Sequence, residues 1–143
     1  MTLHAEYDPT NIFAKIIDGE IPAAKVHEDK DTLVIMDAFP QSRGHCLVIP
    51  KSPVRNLLEL APKDIGRLFG TVQRVAQAVD KAFNPDGIVV TQFNGAPAGQ
   101  SVFHLHVHVI PKFEGEAFAG HGDAESGDMD ALKLLAGEIS AQL

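Results

Sequence analysis

The segment His104-Leu105-His106-Val107-His108-Val109-Ile110 decides how this chain is read. Successive side chains of an extended strand point to opposite faces, so the strand expected over Val102–Ile110 puts His104, His106 and His108 on one face and Leu105, Val107 and Val109 on the other. One face is apolar enough for a core, and the other is a row of imidazoles. With 7 histidines in 143 residues, chance would place a His-x-His-x-His pattern in roughly one or two such sequences in a hundred, so composition does not explain it. Three readings are open. The row can be a solvated strand face. It can be a metal site, with two imidazoles at i and i+2 and a further ligand such as His45. It can also carry nucleophilic or acid–base chemistry.

The residues just upstream favour the third reading. Gly95-Ala96-Pro97-Ala98-Gly99-Gln100-Ser101 is a loop of small residues that lets an anion approach backbone N–H groups and the Gln100 and Ser101 side chains. No Lys or Arg lies between Gly87 and Pro111, so phosphate charge there must be met by imidazole, hydroxyl, amide and backbone dipoles. That suits a single phosphate better than a long polyphosphate.

Working outward, Ile12, Phe13, Ile16 and Ile17 fall at helical spacing, with Thr10 or Asn11 as cap and Gly19 as stop. Ala24–Glu28, Thr32–Asp37 and His45–Pro50 read as consecutive antiparallel strands, the last two separated by turn-rich residues 39–44. Between Pro62 and Phe83 the set Ile65, Leu68, Phe69, Val72, Val75, Ala76, Val79 and Phe83 predicts a long amphipathic helix, which Asn84-Pro85-Asp86-Gly87 ends. Ile88–Thr91 opens another strand. Glu114 to Asp130 holds six acidic residues, four glycines and no Lys or Arg, and reads as a mobile acidic loop over 114–128. A terminal helix over 129–142 follows, capped by Ser126 or Asp128. The expected class is α+β, one domain over 1–143 with an antiparallel sheet.

The charge balance, 12 Lys+Arg against 19 Asp+Glu for a net −7, argues against a nucleic-acid surface, which needs clustered cations. The single cysteine, Cys46, cannot form an internal disulfide, and the first residues lack an apolar signal core. The expectation is a cytoplasmic protein. The uncharged stretch from Gly87 to Pro111 is too interrupted by polar residues, Gly and Pro to span a membrane.

The histidine segment resembles the His-φ-His-φ-His-φ-φ signature of the histidine triad superfamily. Asn11–Pro22, Gly44–Lys51 and Ala98–Val102 resemble further blocks of its nucleotide-binding (Hint-like) branch, in the bacterial form with a longer C-terminal helix. That resemblance implies a five-stranded antiparallel sheet, paired in a homodimer into ten strands. It implies a small-molecule purine nucleotide as ligand and hydrolysis of nucleoside phosphoramidates at the α-phosphate, with no cofactor. By position, His106 would be the nucleophile, and His108 would contact phosphate oxygens and help protonate the leaving group. His104 and His45 would form an outer buttressing pair. Ser101, Gln100 and backbone near Gly99 would hold phosphate, Asp37 the ribose hydroxyls, and Phe13, Ile16, Ile21 and Phe39 the base. Asp37 is equally suited to capping the turn that follows its strand. Where the family carries an amide the chain has Phe93, so Asn94 or Gln92 is the expected substitute. Ala14 and Ala24 stand where some bacterial relatives bind structural zinc through cysteines, so no metal is expected. His4, His27 and His121 show no partner pattern and read as ordinary, and Lys51 as a surface charge. A dinucleoside polyphosphate hydrolase, a metal-dependent hydrolase and a binding module with slow turnover are the alternatives.

Overall fold

In the computed structural model, which describes residues 2–143, three α-helices and five strands run in the order α1 (Ile12–Ile17), β1 (Lys25–Glu28), β2 (Thr32–Met36), β3 (Cys46–Pro50), α2 (Pro62–Phe83), β4 (Gly87–Thr91), β5 (Val107–Lys112), α3 (Met129–Ser140). The strands form one sheet in the order β1-β2-β3-β5-β4, antiparallel throughout. The expected α+β class with a five-stranded antiparallel sheet is therefore what the chain adopts.

Local chemistry explains the element ends. Asn11 Oδ1 accepts from Ala14 N–H at 3.0 Å and starts α1, and Asp128 Oδ2 accepts from Ala131 N–H at 2.9 Å and starts α3, so Asn11 and Asp128 are the caps among the alternatives. Pro62 opens α2, where its missing N–H leaves no bond unmade, and Asn84 closes it in the left-handed region.

The two faces of the sheet are covered differently. Val34, Met36, Cys46, Val48, Leu105, Val107 and Val109 pack on Leu68, Val72, Val75 and Val79 of α2 and on Leu132 and Ile139 of α3. On the other face Leu33, Ile35, Leu47 and Ile49 pack on Phe13 and Ile16 of α1. β2 and β3 are buried at every position, which is why TLVIM and CLVIP show no polar alternation. α2 keeps an uncovered flank: Ile65 and Phe69, counted in its apolar stripe, are 40% and 39% exposed.

Two expectations are corrected. The strand predicted over Val102–Ile110 begins only at Val107. β5 pairs with β3 as far as Val48↔Val107. Further pairing would have to use the end of β3, where Pro50 has no N–H to donate. Leu105 N–H goes instead to Val54 O, beyond that end. The acidic segment 114–128 has no regular structure, yet it is tied to the domain: Ala119 N–H donates to Gln41 O at 3.0 Å and Gly127 N–H to Ala38 O at 2.8 Å. Small side chains at those two points let the backbones meet, so its charge content was a poor guide to its docking.

Gly44 turns the chain into β3 at φ +94°, and a Cβ there would lie 2.8 Å from the Phe83 ring and 3.1 Å from Pro111. Gly44→Ala is expected to lose about 1–3 kcal/mol from backbone strain alone, with more from the clash, read as a lowered thermal midpoint.

Candidate active site

A cavity of about 580 Å³ opens on the α1 side of the sheet, lined by His106, His108, Ser101, Asp37 and an apolar wall that includes Phe13, Ile16, Ile21 and Phe39. No Lys or Arg contributes to its lining. Phe13 stands edge-on to His106 with ring centres 4.9 Å apart, and Phe39 lies at the mouth, 59% exposed.

Backbone groups set the tautomers of His104, His106 and His45, and His45 in turn sets that of His108. His104 Nε2–H donates to Pro50 O at 2.7 Å, so its Nδ1 accepts the Tyr7 hydroxyl at 2.7 Å. His106 Nδ1–H donates to His104 O at 2.7 Å, which leaves the lone pair on Nε2 free. His45 Nδ1 accepts Gln41 N–H at 3.0 Å, so Nε2 carries the proton. That Nε2–H donates to His108 Nδ1 at 2.9 Å, with Asp37 Oδ2 at 3.3 Å beside it. His108 therefore carries its proton on Nε2, a buried donor with no partner among the described residues. The site thus offers one free imidazole lone pair and one free imidazole N–H on adjacent rings 5.1 Å apart.

Burial dominates the electrostatics. It pushes His106 down to about 4, holds His45 and His108 well below the ordinary imidazole range and lowers His104, so all four are neutral near pH 7. Burial also raises the Asp37 carboxyl to about 6, against the lowering effect of the Phe39 N–H on Oδ1. The 3.3 Å approach of Asp37 to His45 is thus a contact within a coupled cluster, not a fixed ion pair.

Asp37, His45 and His108 bring ligand atoms within 4.8 Å of one another, a spacing that could hold a metal ion. The tautomers do not suit one. With Gln41 N–H on its Nδ1, His45 presents a proton, not a lone pair, towards the cluster.

Several expected site residues lie elsewhere. His104 is 1% exposed and lies outside the cavity, between Tyr7 and Pro50. It does not pair with His45, which bonds His108 directly. The Gln100 side chain is turned inward, bonding Gly95 N–H through Oε1 and both Arg55 O and Val102 O through Nε2, so it shapes the loop and does not face a ligand. Asn94 Oδ1 accepts from Leu57 N–H and Gln92 Nε2, away from the cavity. Gly99 reaches the site only through its backbone, its carbonyl accepting from His121 Nε2–H at 2.6 Å. Asp37 caps its own turn through Phe39 N–H and also reaches His45. Lys51 pairs with Glu28 at the surface.

Two residues at the site were not foreseen. Tyr7 orients His104, and its place in a polar N-terminal stretch gave no sign of that role. His121, read as ordinary, lines the cavity. The signal available for it was a histidine among small residues in an otherwise acidic segment, which sequence alone does not distinguish from a solvated one.

Three tandem-spaced imidazoles at the end of an antiparallel sheet, with a small-residue loop before them, define a histidine-triad protein. The HIT domain family matches residues 18–115, and the chain belongs to that family. It is similar to the protein hit of Bacillus subtilis, 43% identical over 135 residues and covering 92% of this chain and 93% of that protein. It is also similar to the adenosine 5'-monophosphoramidase hnt1 of Schizosaccharomyces pombe, 36% identical over 133 residues with 92% and 97% covered. The crystal structure of a Hit-like protein from Bartonella henselae superposes with a TM-score of 0.88 at 44% identity, over 96% of this chain and 100% of that one. No helix among the described residues is long and apolar enough to cross a membrane.

The neutral imidazoles fix a pH dependence. An imidazole whose folded value is depressed contributes stability that is complete above its ordinary value near 6.5 and is lost as pH falls towards the folded value. For His106 the loss should reach about 2 kcal/mol at pH 5. His45 and His108 act in the same direction. Asp37, raised to about 6, acts oppositely, but it is one group against three. The urea midpoint is expected to fall markedly between pH 7 and pH 5, and an unchanged midpoint would show that these rings are not held neutral.

Proposed function

We propose that this chain hydrolyses purine nucleoside phosphoramidates, or related nucleotidyl conjugates, at the α-phosphate through a nucleotidyl-histidine intermediate. The observation that carries the reading is the free lone pair on His106 Nε2, held by a backbone bond at Nδ1 and facing the same cavity as the unpartnered His108 Nε2–H. A neutral imidazole attacks phosphorus without a separate base, and its adduct leaves readily in the second step.

In the first step His106 Nε2 bonds to phosphorus as the bond to the leaving nitrogen breaks. That nitrogen takes the proton of His108 Nε2, His45 Nε2 passes its proton to His108 Nδ1, and the Asp37 carboxyl, in its protonated form, replaces the proton on His45 Nε2 and is left as the carboxylate. A water then attacks phosphorus, the phosphorus–Nε2 bond breaks, and the water proton returns to the cluster. The Nδ1–H bond to His104 O stabilises the positive charge that His106 carries as an adduct. On this reading Ser101, which lines the cavity, donates to a phosphate oxygen, and Phe13, Ile16, Ile21 and Phe39, which line it too, enclose the base. None of these steps uses a metal.

The cavity's lack of Lys and Arg supports a single phosphate over a polyphosphate chain. The named activity of the fission-yeast relative supports the phosphoramidate class. Rapid quenching during turnover of adenosine 5'-phosphoramidate, followed by peptide mass spectrometry, should find the adenylyl group on the His106 peptide. His106→Ala should lose the adduct and at least roughly a thousandfold in kcat. AMP binding with no cleavage by the unaltered protein would instead favour a binding module.

A homodimer belongs to this reading. β4 is an open sheet edge, Val90 on it is 46% exposed, and Ile65 and Phe69 leave an apolar flank on α2. Sedimentation at micromolar concentration is expected to give twice the 15.4 kDa chain mass.

A further inference from the structure

His121 lines the cavity beside Gly99 and His108 without a part in the chemistry above. Its Nε2–H donates to the Gly99 carbonyl, its ring stacks on Phe93 with centres 4.3 Å apart and planes 30° apart, and it meets His108 at 5.6 Å and 88°. Phe93 in turn stands edge-on to His108 at 5.6 Å. The approach depends on a glycine: Gly99 has φ +112°, and a Cβ there would lie 3.1 Å from Phe93 and 3.3 Å from His121. The segment that delivers His121 is docked on Ala38 and Gln41, and Gln41 N–H is the group that sets the tautomer of His45.

The His108 ring is hydrogen-bonded at Nδ1 alone, so the direction of its Nε2–H is otherwise fixed by the rings packed around it. Phe93 and His121 supply the two edge-on contacts among them. We propose that His121 is a positioning residue for the reaction: carried by segment 114–128, it clamps Gly99 and, with Phe93, aims His108 Nε2–H at the departing group. This rests on the phosphoramidate reading and extends it to a residue outside the three-histidine motif. After burial, a His121 charge is among the influences that lower His45, His106 and His108, in keeping with its proximity.

The test compares two AMP derivatives, the phosphoramidate, whose nitrogen must leave with a proton, and the p-nitrophenyl ester, whose phenolate leaves without one. His121→Ala is expected to lower kcat on the phosphoramidate at least roughly tenfold more than on the ester, since a misaimed acid costs only the substrate that needs it. His121→Phe, which keeps an aromatic ring against Phe93 and His108, should recover part of that difference. Equal losses on both substrates, no loss on either, or no recovery with Phe would overturn the proposal. Failure of the parent reading is separately visible, because the unaltered protein would then turn over neither substrate. In that case imidazole ¹⁵N NMR decides: replacing His121 must shift the His108 ring resonances and leave those of His104 in place, and an unmoved His108 overturns the proposal.

Discussion

The hydrogen bond from His106 Nδ1–H to the carbonyl of His104 is the interaction on which the site depends. It spans two residues of one segment, so it forms wherever the backbone places that carbonyl against the ring. The carbonyl is available because His104 sits outside the β3–β5 ladder, in the stretch that precedes β5. A strand running unbroken from Val102 would commit such groups to the sheet. The early end of the pairing thus serves the chemistry: it releases a main-chain acceptor that selects one tautomer and later faces the cation formed on that ring.

A second constraint follows from burial. Four imidazoles in a water-poor space would repel one another if charged, and desolvation keeps them neutral at a cost that appears only on acidification. Neutrality has a functional consequence, since a neutral ring is both nucleophile and hydrogen-bond donor. It also means that the cavity meets an anion with N–H, O–H and main-chain dipoles, in agreement with a lining free of Lys and Arg.

Much of the architecture was legible in the chain. The 3.6-residue period of α2, the apolar runs of β2 and β3 and the turn residues between them are local patterns, and local patterns survive folding when the core agrees with them. The side on which His106 and His108 lie, opposite Leu105, Val107 and Val109, was legible for the same reason. The roles of Gln100, Asn94 and His104 were not. Whether an amide or imidazole faces a ligand or the loop behind it depends on partners at Arg55, Leu57, Pro50 and Tyr7, far away in sequence.

The sequence by itself determined which residues could be chemical, because the alternation of histidine with Leu and Val is a property of adjacent positions. Only the tertiary structure decided which ring nitrogen is free, since these tautomers are chosen by a carbonyl or amide that the folded backbone brings against the ring, from two residues away at His106, four at His45 and 54 at His104. It likewise decided that His121 stands against His108. That meeting is made by main-chain bonds from the acidic segment to Ala38 and Gln41, and hydrogen bonds between distant backbones leave no mark in composition or period.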